Sequence, residues 1–376
     1  MKFTIFGLTL SSSWGNGHAT PYRAIIRALH GAGHEVVFFE KDVAYYAKRR
    51  DFSSAQFCEL VLYRDWHEVR SRALPTAAES DVVITASYLP HGAEISDEMF
   101  ALPRPLKVFY DLDTPITLKR LRHSNVEYLR RDQIAEFDLY LSFTGGGALD
   151  ELRNQWHAKA VAPLYGCVDP DVHFRVAVPQ QYRCAFSYMG TYAPDRQQKL
   201  NTLFLAPAKR FPQQSFVLAG SMYPWDITMP SNVQYLEHVG PADHSALYSS
   251  SRATLNITRA EMAEYGYCPS GRLFEAAACG TPILSDNWDG MDSFFADQRE
   301  ILLVNATSDV LTALAMSHEQ LAGMAARARE RTLDEHTGTR RAQQMLAAIE
   351  STKSSARKNR QINPTAASEL EEKVTT

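Results

Sequence analysis

The sequence predicts an α/β protein made of two doubly wound halves, and three observations carry that expectation. A strand–helix–strand unit fills about the first 40 residues, and the same alternation repeats to about residue 164. A polar, proline-punctuated stretch at 168–179 then interrupts it, and a second series of the same kind follows. Strands alternating with helices imply a parallel sheet covered on both faces. Two such halves joined by one link imply a cleft between them, a usual place for a ligand.

Taken in order, residues 2–10 are a short apolar run rich in branched and aromatic side chains, which reads as a buried strand. Residues 11–17 are a polar, glycine-containing loop. A helix from about Pro21 carries Ile25, Ile26 and Leu29 on one face and stops at 30–33, and residues 34–39 form the next strand. Residues 81–86, 106–110, 137–142 and 160–164 read as further strands, with helices expected at 117–131 and 149–156. In the second series, strands are expected at 184–190, 214–220, 233–236, 253–257, 282–285 and 300–304. Helices fall at 194–208, 244–249, 271–278 and 310–331, and one more at 340–349. From 351 to 376 almost nothing is large and apolar, so that tail is expected to be disordered.

Composition narrows the function. Hydrophobic residues make up 45% and charged residues 22% of 376, as in globular proteins, which excludes collagen-like, coiled-coil and wholly disordered chains. A net charge of −4 disfavours a general polyanion binder. The five cysteines include no Cys-x-x-Cys pair, and an odd number cannot all be paired, which points to reduced thiols. No apolar run approaches the ~20 residues of a membrane span, and the N-terminal residues lack a signal-peptide cleavage pattern. The expectation is a cytoplasmic protein without stable membrane insertion.

Several residues carry candidate chemistry. Pro269-Ser-Gly-Arg-Leu-Phe-Glu275 reads as a glycine-containing loop opening a short helix. Amides around Ser270 and Gly271 would face phosphate oxygens there, and Glu275, one turn in, can reach neighbouring hydroxyls or simply make an i,i+4 pair. Gly190, Thr191 and Tyr192 follow the first strand of the second half, ahead of Arg196 and Lys199, and form either an anion-binding turn or an ordinary β–α turn. Arg259 stands just beyond a buried strand, to neutralise a diphosphate or to pair with Glu261 or Glu264. In the first half, Gly15, Asn16 and Gly17 make a glycine-rich loop before His18, which is either a general base or a helix-start hydrogen bonder. Asp111-Leu-Asp113 invites a metal reading, but the better one sends Asp113 into the cleft or makes it a helix N-cap. His91, His238 and His336 share no metal-ligand spacing, so no metal site is expected.

The segment 269–285 resembles the donor signature of GT-B nucleotide-sugar glycosyltransferases. Together with Ser13-Trp-Gly-Asn-Gly-His18, Phe109-Tyr-Asp-Leu-Asp-Thr-Pro115, Leu141-Ser-Phe-Thr-Gly-Gly146, Tyr188-Met-Gly-Thr-Tyr192, Trp288-Asp-Gly290 and Arg331-Thr-Leu-Asp-Glu-His-Thr337, it is similar to the CgeB-like glycosyltransferases over about residues 2–350. The resemblance implies a GT-B fold. Residues 1–170 would form a Rossmann-like acceptor domain and 180–335 a Rossmann-like donor domain, with 336–350 returning as a helix onto the first. It also implies a nucleotide-diphosphate sugar as donor substrate and no cofactor. Glu275 would hold the ribose, and Ser270, Gly271, Arg272, Arg259, Gly190, Thr191 and Tyr192 the rest of the donor. The loop Gly15, Asn16 and Gly17 would lie on the acceptor side, and His18 or Asp113 would take the acceptor proton.

Many retaining members carry a second Glu eight residues before the ribose Glu; Tyr267 stands there. The acceptor is left open among glycans, small molecules, proteins and modified nucleobases. A non-catalytic nucleotide-sugar-binding protein and a sugar-nucleotide epimerase share the architecture and are the alternatives.

Overall fold

The computed structural model describes residues 1–14, 17–52 and 56–362, with side chains described up to residue 358. The first half runs β1 (Lys2–Gly7), α1 (Ala19–Gly31), β2 (Glu35–Lys41), α2 (Ala44–Ala47), β3 (Glu59–Tyr63), α3 (Trp66–Glu79), β4 (Val82–Ala86), α4 (Gly92–Phe100), β5 (Leu106–Asp111), α5 (Thr114–Leu121), β6 (Leu139–Ser142), α6 (Gly147–Asn154) and β7 (Val161–Pro163). Its strands pair in parallel in the order β3-β2-β1-β4-β5-β6-β7.

The second half begins at β8 (Phe186–Met189). Two helical pieces, α7 (Gln197–Leu200) and α8 (Ala206–Arg210), follow, joined by a π turn at Asn201–Leu205. Then come β9 (Phe216–Ala219), β10 (Val233–Leu236), α9 (Pro241–Ser250), β11 (Thr254–Asn256), α10 (Ala260–Tyr265), α11 (Gly271–Ala278), β12 (Ile283–Ser285), β13 (Leu302–Leu303), α12 (Thr307–Ala315) and α13 (His318–Glu335). The sheet order is β10-β9-β8-β11-β12-β13, the same winding as the first. Each sheet is covered on both faces by separate apolar clusters, so each half has its own core. In both halves the winding reverses beside the first strand, and loops leaving the carboxyl ends there bound a crevice.

The expected elements are present, with differences of local cause. Strand β3 and helices α3, α4 and α10 had no counterpart in the sequence reading. The stretch expected as one helix at 117–131 is helical only to Leu121, after which Val126 and Leu129 bond each other across a tight turn. The helix expected at 310–331 is two. Ser317 restarts it with a capping box: its hydroxyl accepts from the Gln320 amide, and its own amide donates to the Gln320 side chain.

The last helix, α14 (Gly338–Ile362), packs on α1 through Ala342, Met345 and Ile349, against Ile25, Ile26 and Leu29. Burying each large apolar side chain there contributes about 1.5–3 kcal/mol. Gly338 permits the approach, since a Cβ on it would meet the Ala24 carbonyl oxygen at 2.5 Å. Disorder from residue 351 does not hold for 351–362, because no glycine or proline interrupts the helix before Pro364. The rest of that tail, 363–376, lies outside the described residues. No helix among the described residues is long and apolar enough to cross a membrane.

Two crossovers join the halves, at 164–169 and 336–338, and they lie side by side. The Val168 amide donates to the His336 carbonyl, and the Gly338 amide to the Val168 carbonyl. Arg341, 1% exposed, locks both. Its Nε donates to the carbonyls of Tyr165 and Gly166, Nη1 to that of Glu335, and Nη2 to His336 Nδ1 at 2.8 Å. Burial first, and then the charges of Arg341 and Arg331, push the His336 imidazole down to about 3, so it stays neutral and accepts that bond. Its ring stacks on Phe274 at 4.3 Å. Arg341→Leu should lower unfolding free energy by about 2–5 kcal/mol, because it orphans several buried acceptors at once. Urea denaturation followed by circular dichroism measures it, and an unchanged midpoint would refute the strut role.

Candidate functional site

The cleft between the halves has a volume of about 540 Å³ and takes its walls from both. From the first half come Ser13, Gly17, His18, Tyr88 and Asp113; from the second, Gly190, Thr191, Arg196, Gly220, His244, Arg259, Ser270, Gly271, Arg272 and Glu275. Of the expected residues, Tyr192 is elsewhere: it packs its ring on Tyr223 at 5.5 Å. Gly15 and Asn16 fall outside the described residues. Trp288, Asp289 and Gly290 form a turn against Tyr267 rather than part of the wall, and Tyr267 itself does not line the cleft.

Helix α11 points its N-terminus at the cleft. The Ser270 side chain makes no capping bond, which leaves the first-turn amides available to an anion. Glu275 is 8% exposed. Burial alone would raise its carboxyl, but the neighbouring His244, then His173 and Arg272, outweigh that and hold it near 2. His244 Nδ1 lies 3.5 Å from Glu275 Oε2, and its Nε2 bonds the Val239 carbonyl at 3.2 Å. His173, from the link between the halves, completes a cluster in which one ligand-type atom from each of His173, His244 and Glu275 lies within 4.8 Å of the others.

Cations ring the same wall. The Arg259 guanidinium reaches Asp195 at 3.2 Å and Glu261 at 3.7 Å, so the ion pair with Glu261 and the cleft position coexist. Arg272 donates to Asn256 Oδ1 at 3.2 Å beneath the helix start. Arg196 is buried, donates to the Thr191 carbonyl and lines the cleft, whereas Lys199 is committed to Asp286 at 2.6 Å. Gly220 was missed by the sequence reading. At φ +149° it lies so close to β8 that a Cβ would meet the Gly190 carbonyl oxygen at 2.1 Å, so only glycine fits.

Across the cleft, His18 Nε2 and Asp113 Oδ2 are 3.6 Å apart. Asp113 occupies the N-cap position of α5, yet its side chain caps nothing and turns to His18. The Asp111–Asp113 pair divides its labour. Asp111 is fully buried, with Tyr140 donating to Oδ2 at 2.6 Å and Thr117 and the Asp113 amide to Oδ1 at 3.0 and 3.1 Å. Burial pushes its carboxyl up to about 6 against those bonds. Its oxygens therefore hold the loop in place and do not join Asp113 at the surface. A second buried carboxylate, Glu40, does the same for the loop after β1, accepting from the Leu10 and Ser11 amides at 2.7 and 2.8 Å.

His244 was also missed, although its signal was present: it lies in the first turn of α9, the helix that follows β10. His173 gave no signal, since the link that carries it has no regular pattern.

These features define a class: a GT-B fold, with a phosphate-ready helix start and a buried carboxylate on one wall and an imidazole–carboxylate pair on the other. The family described as glycosyl transferase-like matches residues 196–347, most of the second half. Among solved structures, sucrose-phosphate synthase from Thermosynechococcus elongatus is 13% identical with TM-score 0.67, over 94% of this chain and 99% of that one. An alpha-glucosyltransferase in complex with UDP-glucose and DNA containing an abasic site is 14% identical with TM-score 0.70, over 93% and 99%. HepE from Anabaena, in complex with UDP and glucose, is 13% identical with TM-score 0.62, over 93% and 100%. No curated protein sequence matches the chain.

The low Glu275 value gives stability a pH signature. A carboxyl lowered on folding contributes stability that is complete above its unfolded value of about 4.5 and is lost as pH falls toward 2. Between pH 4.5 and 2.5, Glu275→Gln should therefore lose stability less steeply than the parent. Parallel slopes in urea midpoints would show that Glu275 is not held ionised.

Proposed function

We propose that this protein is a glycosyltransferase that moves a sugar from a nucleoside diphosphate sugar, with uridine diphosphate the favoured carrier, to a hydroxyl-type acceptor. The observation that carries this reading is Glu275: a buried, ionised carboxylate one turn into a helix whose uncapped start faces the same cleft. A carboxylate so placed accepts hydrogen bonds from two ribose hydroxyls while the amides of Ser270 and Gly271 take phosphate oxygens. The UDP and UDP-glucose carried by the structurally similar proteins support the choice of carrier.

In the transfer, the acceptor oxygen attacks the anomeric carbon as the bond to the diphosphate breaks. Charge builds on the departing diphosphate, and Arg259, Arg196 and the α11 amides are already in place to receive it. His18 takes the acceptor proton, and Asp113, whose Oδ2 lies 3.6 Å from Nε2, stabilises the imidazolium that forms. The step draws on no metal: guanidinium groups and backbone dipoles supply the positive field. The acceptor enters from the His18 side, since the other wall is occupied by the donor.

Glu275→Ala should weaken UDP binding by roughly 1–3 kcal/mol, the range for losing hydrogen bonds to a charged group, as read by calorimetry on the folded variant. His18→Ala and Asp113→Ala should each lower turnover about 10²–10⁴-fold with UDP affinity near normal. Transfer of labelled sugar from a panel of nucleotide sugars decides the class, and turnover should persist in EDTA. An epimerase would interconvert the sugar without acceptor, and a binding protein would give neither product; either result refutes the transferase reading.

A further inference from the structure

Behind the candidate donor carboxylate, His173 is 3% exposed and neither of its ring nitrogens has a hydrogen-bond partner. Buried imidazole nitrogens are almost always satisfied, so an orphaned pair marks a place for something else. The neighbouring His244 explains what. Its Nε2 bonds the Val239 carbonyl, and a carbonyl only accepts, so Nε2 carries the proton. Its Nδ1, also without a hydrogen-bond partner, faces the Glu275 carboxylate 3.5 Å away. Three ligand-type atoms, two of them on imidazoles whose facing nitrogens lack a hydrogen-bond partner, thus converge on one buried spot.

We propose that His173, His244 and Glu275 bind a borderline divalent cation of the zinc class, with two imidazoles and one carboxylate as ligands and the remaining position open to the cleft.

Geometry and chemistry agree with this assignment. Ligand atoms sharing one tetrahedral ion lie roughly 3.3 Å apart for metal–ligand bonds of about 2.0–2.1 Å. His244 and Glu275 already stand at 3.5 Å, and the whole trio lies within 4.8 Å, so His173 closes the set by an approach of about 1.5 Å or less. A ligating histidine commonly donates its other ring N–H to a backbone carbonyl, which is what Val239 provides. Imidazole nitrogen suits zinc, cobalt and nickel better than magnesium or calcium. This is a different place from the Asp111–Asp113 pair, and it takes only the Glu275 oxygen that faces His244, Oε2, leaving Oε1, which lies toward Gly271, to the ligand of the cleft.

The test uses the full-length chain stripped of metal with a chelator and titrated with Zn²⁺ by calorimetry. One equivalent should bind, and His173→Gln and His244→Gln should each weaken it by about 100-fold or more, while His67→Gln, on an exposed helix face, leaves it unchanged. Should the glutamine variants fail to fold, Co²⁺ added to the parent protein decides instead. Visible bands of a protein-bound, imidazole-ligated ion, bleached by one equivalent of Zn²⁺, support the site; the spectrum of the hydrated ion overturns it. No stoichiometric uptake by the parent, as expected if only a water or a shared proton fills the gap, overturns it too. So does uptake that both histidine variants retain.

Discussion

The contact on which the rest of this molecule depends is the buried guanidinium of Arg341. Two halves joined by a single link would be free to swing. A second crossover returns the chain to the first half, and Arg341 binds the two crossovers to each other through backbone carbonyls that have few other donors. The arrangement extends to the cleft. His336 accepts from Arg341 and stacks on Phe274, which lies one residue before Glu275 on α11. The position of Glu275 is thus tied, through one neutral imidazole, to the joint between the halves. Burying a guanidinium costs solvation, and the fold offsets that cost with several charge-assisted bonds to fixed acceptors.

Around that joint, the cleft is an exercise in placing carboxylates. Four of them sit in or near it with different fates. Asp111 and Glu40 are sealed inside and spend their oxygens on loop amides and hydroxyls, so they fix the loops that lead to Asp113 and His18. Glu275 is also buried, but surrounded by imidazoles and Arg272, so it remains ionised where burial alone would neutralise it. Asp113 is the most open and faces His18 directly. Identical chemistry is thereby divided between structure and site by what each oxygen touches. Contacts between the halves also hold them: Tyr265 meets Arg122 at 2.6 Å and Glu151 at 2.7 Å, and Lys119 meets Glu261 at 3.0 Å.

Much of this was legible in the chain. Hydrophobic runs at 2–7, 82–86, 106–111 and 186–189 are buried strands because parallel strands covered on both faces are mostly apolar, and the few polar side chains they hold, such as Thr4 and Asp111, find hydrogen-bond partners inside. The bounds of α11 were read correctly because its loop, glycine start and glycine stop are all local signals. Strand β3 escaped because it lies at a sheet edge, where exposed Leu62 and Glu59 blur the pattern. Helices α4 and α10 escaped for a related reason: each is short, and its residues are chosen for contacts with distant partners, such as Tyr265 with Arg122. Pro75 lies inside α3 and argues locally against a helix there, a signal that packing of Trp66, Ala73 and Ala77 overrides.

The sequence by itself determined the winding, the presence of a link near 168–179, and the candidates Glu275, Arg259, His18 and Asp113, because each stands in a short window around a strand end. Only the tertiary structure decided which of them share a space. It turned Asp113 toward His18 and withdrew Asp111, and it kept Arg259 in the wall while tying Lys199 to Asp286. It also brought His173 and His244 to Glu275 from positions far apart in the chain. The physical reason is one of range. Periodicity and capping act over a few residues and are written locally, whereas ionisation, ion pairing and the clustering of imidazoles with a carboxylate depend on groups from distant segments brought within a few ångströms as helices and loops pack on each sheet.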